Sequence, residues 1–222
     1  MVSQTQLALN DAAEWLGDWH PLAEQLGCAS NAVSLGSLAS WQSLQPVHDR
    51  DSLRRFLFRY HQQVLQPVEW QVIRVAHRHA ERNELRELIE FDRALGRRRT
   101  FSEFTRPSRR VGRVQLGRLR PLRDHRLVQR YLQAVESRRA NGWHTLVYGV
   151  TLAVYSIPLC QGLLGYAHQI TRGFIYAAAR SLQLSEHDCR GLFNELCGSL
   201  PAALEPREFP PQVVGGPGCG RG

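Results

Sequence analysis

Gly142-Trp-His-Thr-Leu-Val-Tyr-Gly149, continued by Val150-Thr-Leu-Ala-Val-Tyr-Ser-Ile-Pro158-Leu and then through Tyr166 to Ala177-Ala-Ala-Arg180, is the stretch on which the fold turns. From Thr145 to Thr171 no side chain is formally charged, while arginine is dense on either side. A segment so apolar must be buried in a core, a partner or a bilayer. A membrane-spanning helix needs roughly 20 mostly apolar residues. Thr145–Ala167 reaches that length, flanked by Arg138, Arg139 and Arg172. Pro158 divides it, however, and Gly149, Ser156, Gln161, Gly162 and Gly165 interrupt both parts. The pattern predicts two packed helices, about 143–155 and 158–182, with Pro158 suited to the first turn of the second. That second helix is long enough to run through the middle of a bundle. Its stripe of Leu159, Leu163, Tyr166, Ile170, Phe174 and Ala177 suits a core, and its glycines allow other helices, or a second copy, to approach closely.

Working outward, other segments show helical spacing. Residues 4–16 fit a short amphipathic helix interrupted by His20-Pro21, and a small-residue stretch from Gly27 reads as a loop entering a helix to about Leu44. Leu53, Phe56, Leu57, Tyr60 and Val64 recur at helical intervals, with Asp49 or Asp51 as N-cap. Pro67 is expected to open the next helix, with Trp70, Ile73, His77 and Ala80 on one stripe. Asn83 is expected to cap another, carrying Leu85, Leu88, Ile89 and Leu95, which Arg97-Arg98-Arg99 ends on its favourable side. Leu127, Tyr131, Leu132 and Val135 form a further stripe. Nothing alternates as a strand would and nothing repeats. The reading is an all-α, single-domain bundle of about eight to ten helices over residues 1–205, followed by a flexible Pro- and Gly-rich tail over 206–222.

The 222 residues carry a formal charge of +8, and all 28 basic residues are arginine. An all-arginine choice can follow from genome composition, so the charge is weak ground for nucleic-acid binding, although arginine pairs well with phosphate and carboxylate. The five cysteines lack Cys-x-x-Cys spacing, which argues against a disulfide framework or a zinc ribbon and fits a reduced, cytoplasmic setting. The N-terminus has no basic region leading into an apolar run, so it does not read as a secretory signal.

A search for chemistry finds little. There is no Gly-x-Ser-x-Gly, no Walker loop and no Gly-x-Gly-x-x-Gly opening a helix. His77 and His79 point to different faces of one helix, whereas a zinc site normally takes four ligands. Glu186-His187-Asp188-Cys189 could supply ligands, but Ser185-Glu186-x-Asp188 reads better as the acidic first turn of a helix capped by Ser185. Cys189 and Cys197 can share one buried face. No catalytic, cofactor-binding or metal-ligating set emerges. An arginine-rich nucleic-acid binder centred on Arg97–Arg130, a small helical membrane protein, and a metal-binding chaperone using His77, His79, His187 and Cys219 stand as alternatives.

The order of features over residues 22–204 nevertheless resembles one family. His144-Thr-Leu-Val147-Tyr-Gly149, Ser156-Ile-Pro158-Leu, Tyr166, Ala177-Ala-Ala-Arg180 and Ser185-Glu-His-Asp188 are similar, in order and spacing, to the C-terminal half of the urease accessory protein UreF family. Glu103-Phe-Thr-Arg-Pro-Ser108-Arg-Arg-Val-Gly112-Arg resembles that family's Ser…Met-Gly-Arg segment. The stretch Ala29–Ser40 departs from it, replacing the family's Pro, Gly, Phe and Glu positions.

The resemblance implies an all-helical protein that is not an enzyme. It implies a homodimer that bridges a UreD/UreH-type accessory protein and the GTPase UreG during nickel delivery to apo-urease. No cofactor would be bound tightly, nickel would be handled by the complex, and neither nucleic acid nor membrane would be a partner. Candidate interface residues are then Ser34, Ser108, His144, Tyr166, Arg180 and Asp188, together with the tail that includes Phe209 and Arg221.

Overall fold

The computed structural model describes residues 47–96, 105–179, 182–200 and 204. The expected helices before Val47, the Arg97–Arg99 run and the 206–222 tail lie outside the described residues, as do Ser34, Arg180, Phe209 and Arg221.

Among the described residues every regular element is helical. Helix α1 (Arg50–Tyr60) continues through a π-helical segment (His61–Glu69) into α2 (Trp70–Glu81). Then follow α3 (Leu85–Leu95), α4 (Thr105–Arg118), α5 (Arg126–Glu136), α6 (His144–Val154), α7 (Leu159–Ala179) and α8 (Glu186–Gly198). The all-α expectation holds. The described residues contain seven continuous helices, because the segments that read as separate helices before and after Pro67 form one rod.

Pro67 therefore does not open a helix; it lies inside one. A proline in an α-helix lacks its N–H and crowds the carbonyl four residues back. The π-helical spacing widens the turn, so that the N–H of Trp70 donates to the Leu65 carbonyl, five residues back. Asn83 is also placed differently from the sequence expectation. It adopts a left-handed conformation (φ 57°) and ends α2, donating its N–H to the Ala80 carbonyl, while Glu84 takes the N-cap position of α3. Asparagine is among the few residues that tolerate this conformation.

Among the described residues, two apolar clusters make up the core. One joins α1, the π-helical segment, α7 and α8 through Leu53, Phe56, Leu57, Leu65, Leu163, Tyr166, Phe174 and Leu192. The other joins α3, α4 and α5 through Leu88, Leu95, Leu116, Leu127, Val128, Tyr131 and Trp143. Helices α2 and α6 stand between them. Trp70 and Ile73 of α2 face the first cluster and Val72 and Ala76 the second. In α6, Tyr148 and Leu152 face the first, and Leu146, Val147 and Val150 the second. Every residue from His144 to Leu152 is buried, which explains why this stretch carries no charge. The two central helices cross at Gly149, where a Cβ would lie 2.5 Å from the Ile73 carbonyl oxygen and 2.9 Å from the Ala76 Cβ. No helix among the described residues is long and apolar enough to cross a membrane.

Helix α6 ends just before Pro158, and α7 begins just after it, as the sequence indicates. Local caps fix two other helix starts. Asp49 and Ser52 form a reciprocal capping box on α1, and Ser185 and Asp188 form one on α8. Such caps contribute typically about 1 kcal/mol each.

Candidate functional site

Three of the residues singled out by the motifs, Ser108, His144 and Tyr166, come together around the first turn of α6. The backbone N–H of His144 is one of the first-turn donors that a helix leaves without an internal partner. It donates to the Ser108 hydroxyl at 3.1 Å, so α4 caps α6 across a tertiary contact. One turn further along α4, Gly112 faces the same place: a Cβ there would lie 2.1 Å from the Gly142 carbonyl oxygen and 2.8 Å from the His144 nitrogen. The Ser108-x-x-x-Gly112 spacing thus has a physical cause. The two residues share one face of α4, where the first bonds the first residue of α6 and the second lets the backbone of the preceding turn approach. The guanidinium of Arg109 sits 4.8 Å over the Trp143 ring and covers this junction.

Asp92 of α3 holds the turn from the other side. Its carboxylate, fully shielded from solvent, accepts hydrogen bonds from the Tyr131 hydroxyl (2.7 Å), the Asn141 N–H (2.5 Å) and the Gly142 N–H (2.9 Å). Its main-chain carbonyl accepts from the Asn141 side-chain amide and from the Trp143 indole N–H. The sequence reading did not single out Asp92. A signal was present: an acidic residue occupies a position in the otherwise apolar stripe Leu88, Asp92, Leu95.

Below this junction lies a buried polar and aromatic group. The His144 ring packs 5.5 Å from Tyr166 and 6.4 Å from Tyr148, centroid to centroid, and the tyrosine rings are 5.1 Å apart. The Tyr148 hydroxyl donates to the Gly162 carbonyl at 2.9 Å. Burial pushes the His144 imidazole down to about 4, so it is neutral at physiological pH. Tyr166 is raised well above its ordinary value, first by burial and then by the neighbouring Glu69 carboxylate. Glu69 accepts from the Tyr60 hydroxyl at 2.6 Å. Burial lifts its carboxyl to about 7, against the opposing pull of the Tyr60 and Tyr166 hydroxyls. Glu69 also went unnoticed in the sequence, because nothing local distinguishes it from a solvated acid.

The structure thus brings together Ser108, His144 and Tyr166. His144 and Tyr166 are interior residues, 5% and 1% exposed. Asp188 is remote from them, in the first turn of α8. It accepts from the Ser185 hydroxyl at 2.6 Å and stands 3.4 Å from Arg50. The Ser185 hydroxyl, more than any other neighbour, holds the Asp188 carboxyl below its ordinary value.

His77 and His79 diverge as expected: His77 Nδ1 stands 3.2 Å from Glu81 and His79 Nδ1 2.7 Å from Glu84. Among the described residues, no three His, Cys, Asp or Glu side chains are grouped to hold a metal ion. Cys189 and Cys197 are both buried on the inner face of α8.

A family model described as UreF matches residues 47–197, more than half of the chain and almost the whole described bundle. No curated protein matches the chain.

Proposed function

Because the chain belongs to the UreF family of urease accessory proteins, we propose that it is a non-enzymatic scaffold for nickel insertion into apo-urease. It holds a UreD/UreH-type protein and the GTPase UreG in one assembly, so that nickel passes to urease within a complex. Nickel is the cargo of that assembly and is not a resident cofactor of this chain. The chain works as a homodimer in the cytoplasm.

The observation that carries this reading is the family match over residues 47–197. The site geometry supports a structural role for the shared motif residues. Ser108, Gly112 and the first turn of α6 lock α4 against the central helix, and His144 and Tyr166 fill the space beneath. These residues set the relative positions of helices whose outer faces are left for partners. Rigidity of this kind is what a scaffold needs, since binding to a preorganised surface avoids the cost of ordering it.

The test is co-purification from cells expressing this chain with tagged UreD/UreH-type protein and with tagged UreG. Stoichiometric capture by the first alone, or by both together, is the expected result. Capture by neither would overturn the scaffold reading.

A further inference from the structure

A cleft of about 830 Å³ opens between the second half of α2 and the turn that joins α6 to α7. Its volume falls within the range of sites that receive a ligand or an inserted side-chain group. Its two walls differ in chemistry. Arg74, His77, Arg78 and Glu81 line one side, and Ala153, Ile157, Pro158 and Leu159 line the other, with Ser156 at the lip.

The charges on the polar wall are not balanced. Glu81 is the acid that lines the cleft, and it stands 3.2 Å from His77 Nδ1. The guanidinium groups of Arg74 and Arg78, one turn apart on the same face, have no ion pair or hydrogen bond among the described residues. Like charges at this spacing repel each other. Arg74 is also half-buried, so part of its hydration is lost without replacement by a protein acceptor. Two guanidinium groups lining a cleft, beside one carboxylate that stands against His77, match a further carboxylate, which each can bind through two parallel N–H donors. The opposite wall offers an apolar surface formed by Ile157, Pro158 and Leu159.

The lip carries a second irregularity. Helix α6 closes with the Ser156 N–H donating to the Ala153 carbonyl (3.0 Å) and the Ile157 N–H donating to the Leu152 carbonyl (2.8 Å). This arrangement places Ser156 at φ 54°, a left-handed position usually occupied by glycine. A serine there costs backbone strain and adds a hydroxyl at the cleft mouth, and strained positions of this kind gather at binding sites.

We propose that this cleft is the docking site for a carboxylate-bearing, apolar segment of a protein partner, its acid held by Arg74 and Arg78 and its apolar side chain seated on Ile157, Pro158 and Leu159. The inference rests on the scaffold reading and specifies one of its contact surfaces. Partner docking supplies the acceptor that the two guanidinium groups lack among the described residues.

The test uses the full chain and two probes, the UreD/UreH-type protein and UreG. Arg74→Glu/Arg78→Glu reverses the charge of the wall. Arg74→Gln/Arg78→Gln removes it with little change in size, in case charge reversal impairs folding. Arg86→Glu, on the exposed face of α3 outside the cleft, is the control. Circular dichroism melts establish that each variant is folded. The charge-reversed pair is expected to weaken binding to one of the two proteins by about tenfold or more, and the neutral pair by a smaller factor in the same direction. The control should bind within about twofold of wild type, as surface charges outside a contact do. Binding of both proteins unchanged by either double variant overturns the cleft assignment while leaving the scaffold reading intact. A change confined to self-association, read by analytical ultracentrifugation, assigns the cleft to a second copy of the chain and also overturns the proposal. Failure of the wild-type chain to bind either protein overturns the scaffold reading and the cleft assignment together.

Discussion

Replacing Asp92 by alanine tests the anchor of the α6 turn. The change removes a carboxylate that accepts from the Tyr131 hydroxyl, the Asn141 N–H and the Gly142 N–H. Hydrogen bonds to a charged group contribute about 1.5–3 kcal/mol each, and a buried donor left without a partner costs about 1–3 kcal/mol. Releasing the carboxylate from its buried setting offsets part of this loss. The net expectation for Asp92→Ala is a loss of about 3–5 kcal/mol, the range seen when one side of a buried charged contact is deleted. Tyr131→Phe removes one donor and leaves both backbone contacts, so it should cost about 1–2 kcal/mol. The double variant should fall short of the sum of the two by about 1 kcal/mol or more, since the groups share a bond. Urea unfolding followed by far-UV circular dichroism reads these values as midpoint shifts at constant slope. In a chain of this size a loss of 3 kcal/mol corresponds to roughly 6–12 °C in melting temperature. Asp92→Ala within about 1 kcal/mol of wild type, or full additivity with Tyr131→Phe, would refute the assignment of Asp92 as the anchor.

Other expectations follow from the same geometry. Gly112→Val should destabilise by about 3 kcal/mol or more, because its Cβ would meet backbone at 2.1 Å; Gly191→Ala, with open space around it, should stabilise by up to about 1 kcal/mol in the same unfolding assay. Ser108→Ala should cost about 1 kcal/mol through loss of the cap on His144, measured likewise. Ser156→Gly should raise stability by about 1 kcal/mol, by relieving the left-handed serine. Stability should also fall with acidification. His61, His144 and His168 are each pushed down to about 4 by burial, so between pH 6.5 and 4 the unfolded chain binds protons that the native chain does not. Glu69, lifted to about 7, opposes this between pH 7 and 4.5 by taking up a proton in the native state. The difference leaves two protons' worth of slope, at most about 3 kcal/mol per pH unit near pH 5.5. Urea titrations from pH 7.5 to 5 measure it, and a flat profile would contradict the burial of these groups.

What could be read from the sequence was local. The split at Pro158, the caps at Asp49 and Ser185 and the paired burial of Cys189 and Cys197 each depend on residues within one or two turns. The missing parts depend on distant partners. Whether Pro67 starts a helix or is absorbed into one depends on how the His61–Glu69 segment packs, because His61 bonds Thr171 of α7 at 2.7 Å and Leu65 is fully buried in the first cluster. Asp92 binds a turn about fifty residues later in the chain, and Glu69 faces Tyr166 of α7. Short-range spacing cannot show such acids to be drawn into tertiary contacts. The motif residues Ser108, Gly112 and His144 could be recognised by resemblance, but their shared role emerges only when α4 lies across the start of α6.

The scaffold reading is tested most directly by the nickel content of urease itself. Urease subunits would be co-produced with the UreD/UreH-type protein and UreG, with and without this chain, at limiting nickel. Purified urease would then be assayed for bound nickel and for urea hydrolysis. The account predicts nickel-loaded, active urease only when the chain is present. Equal nickel loading and activity without it would contradict a role in urease maturation.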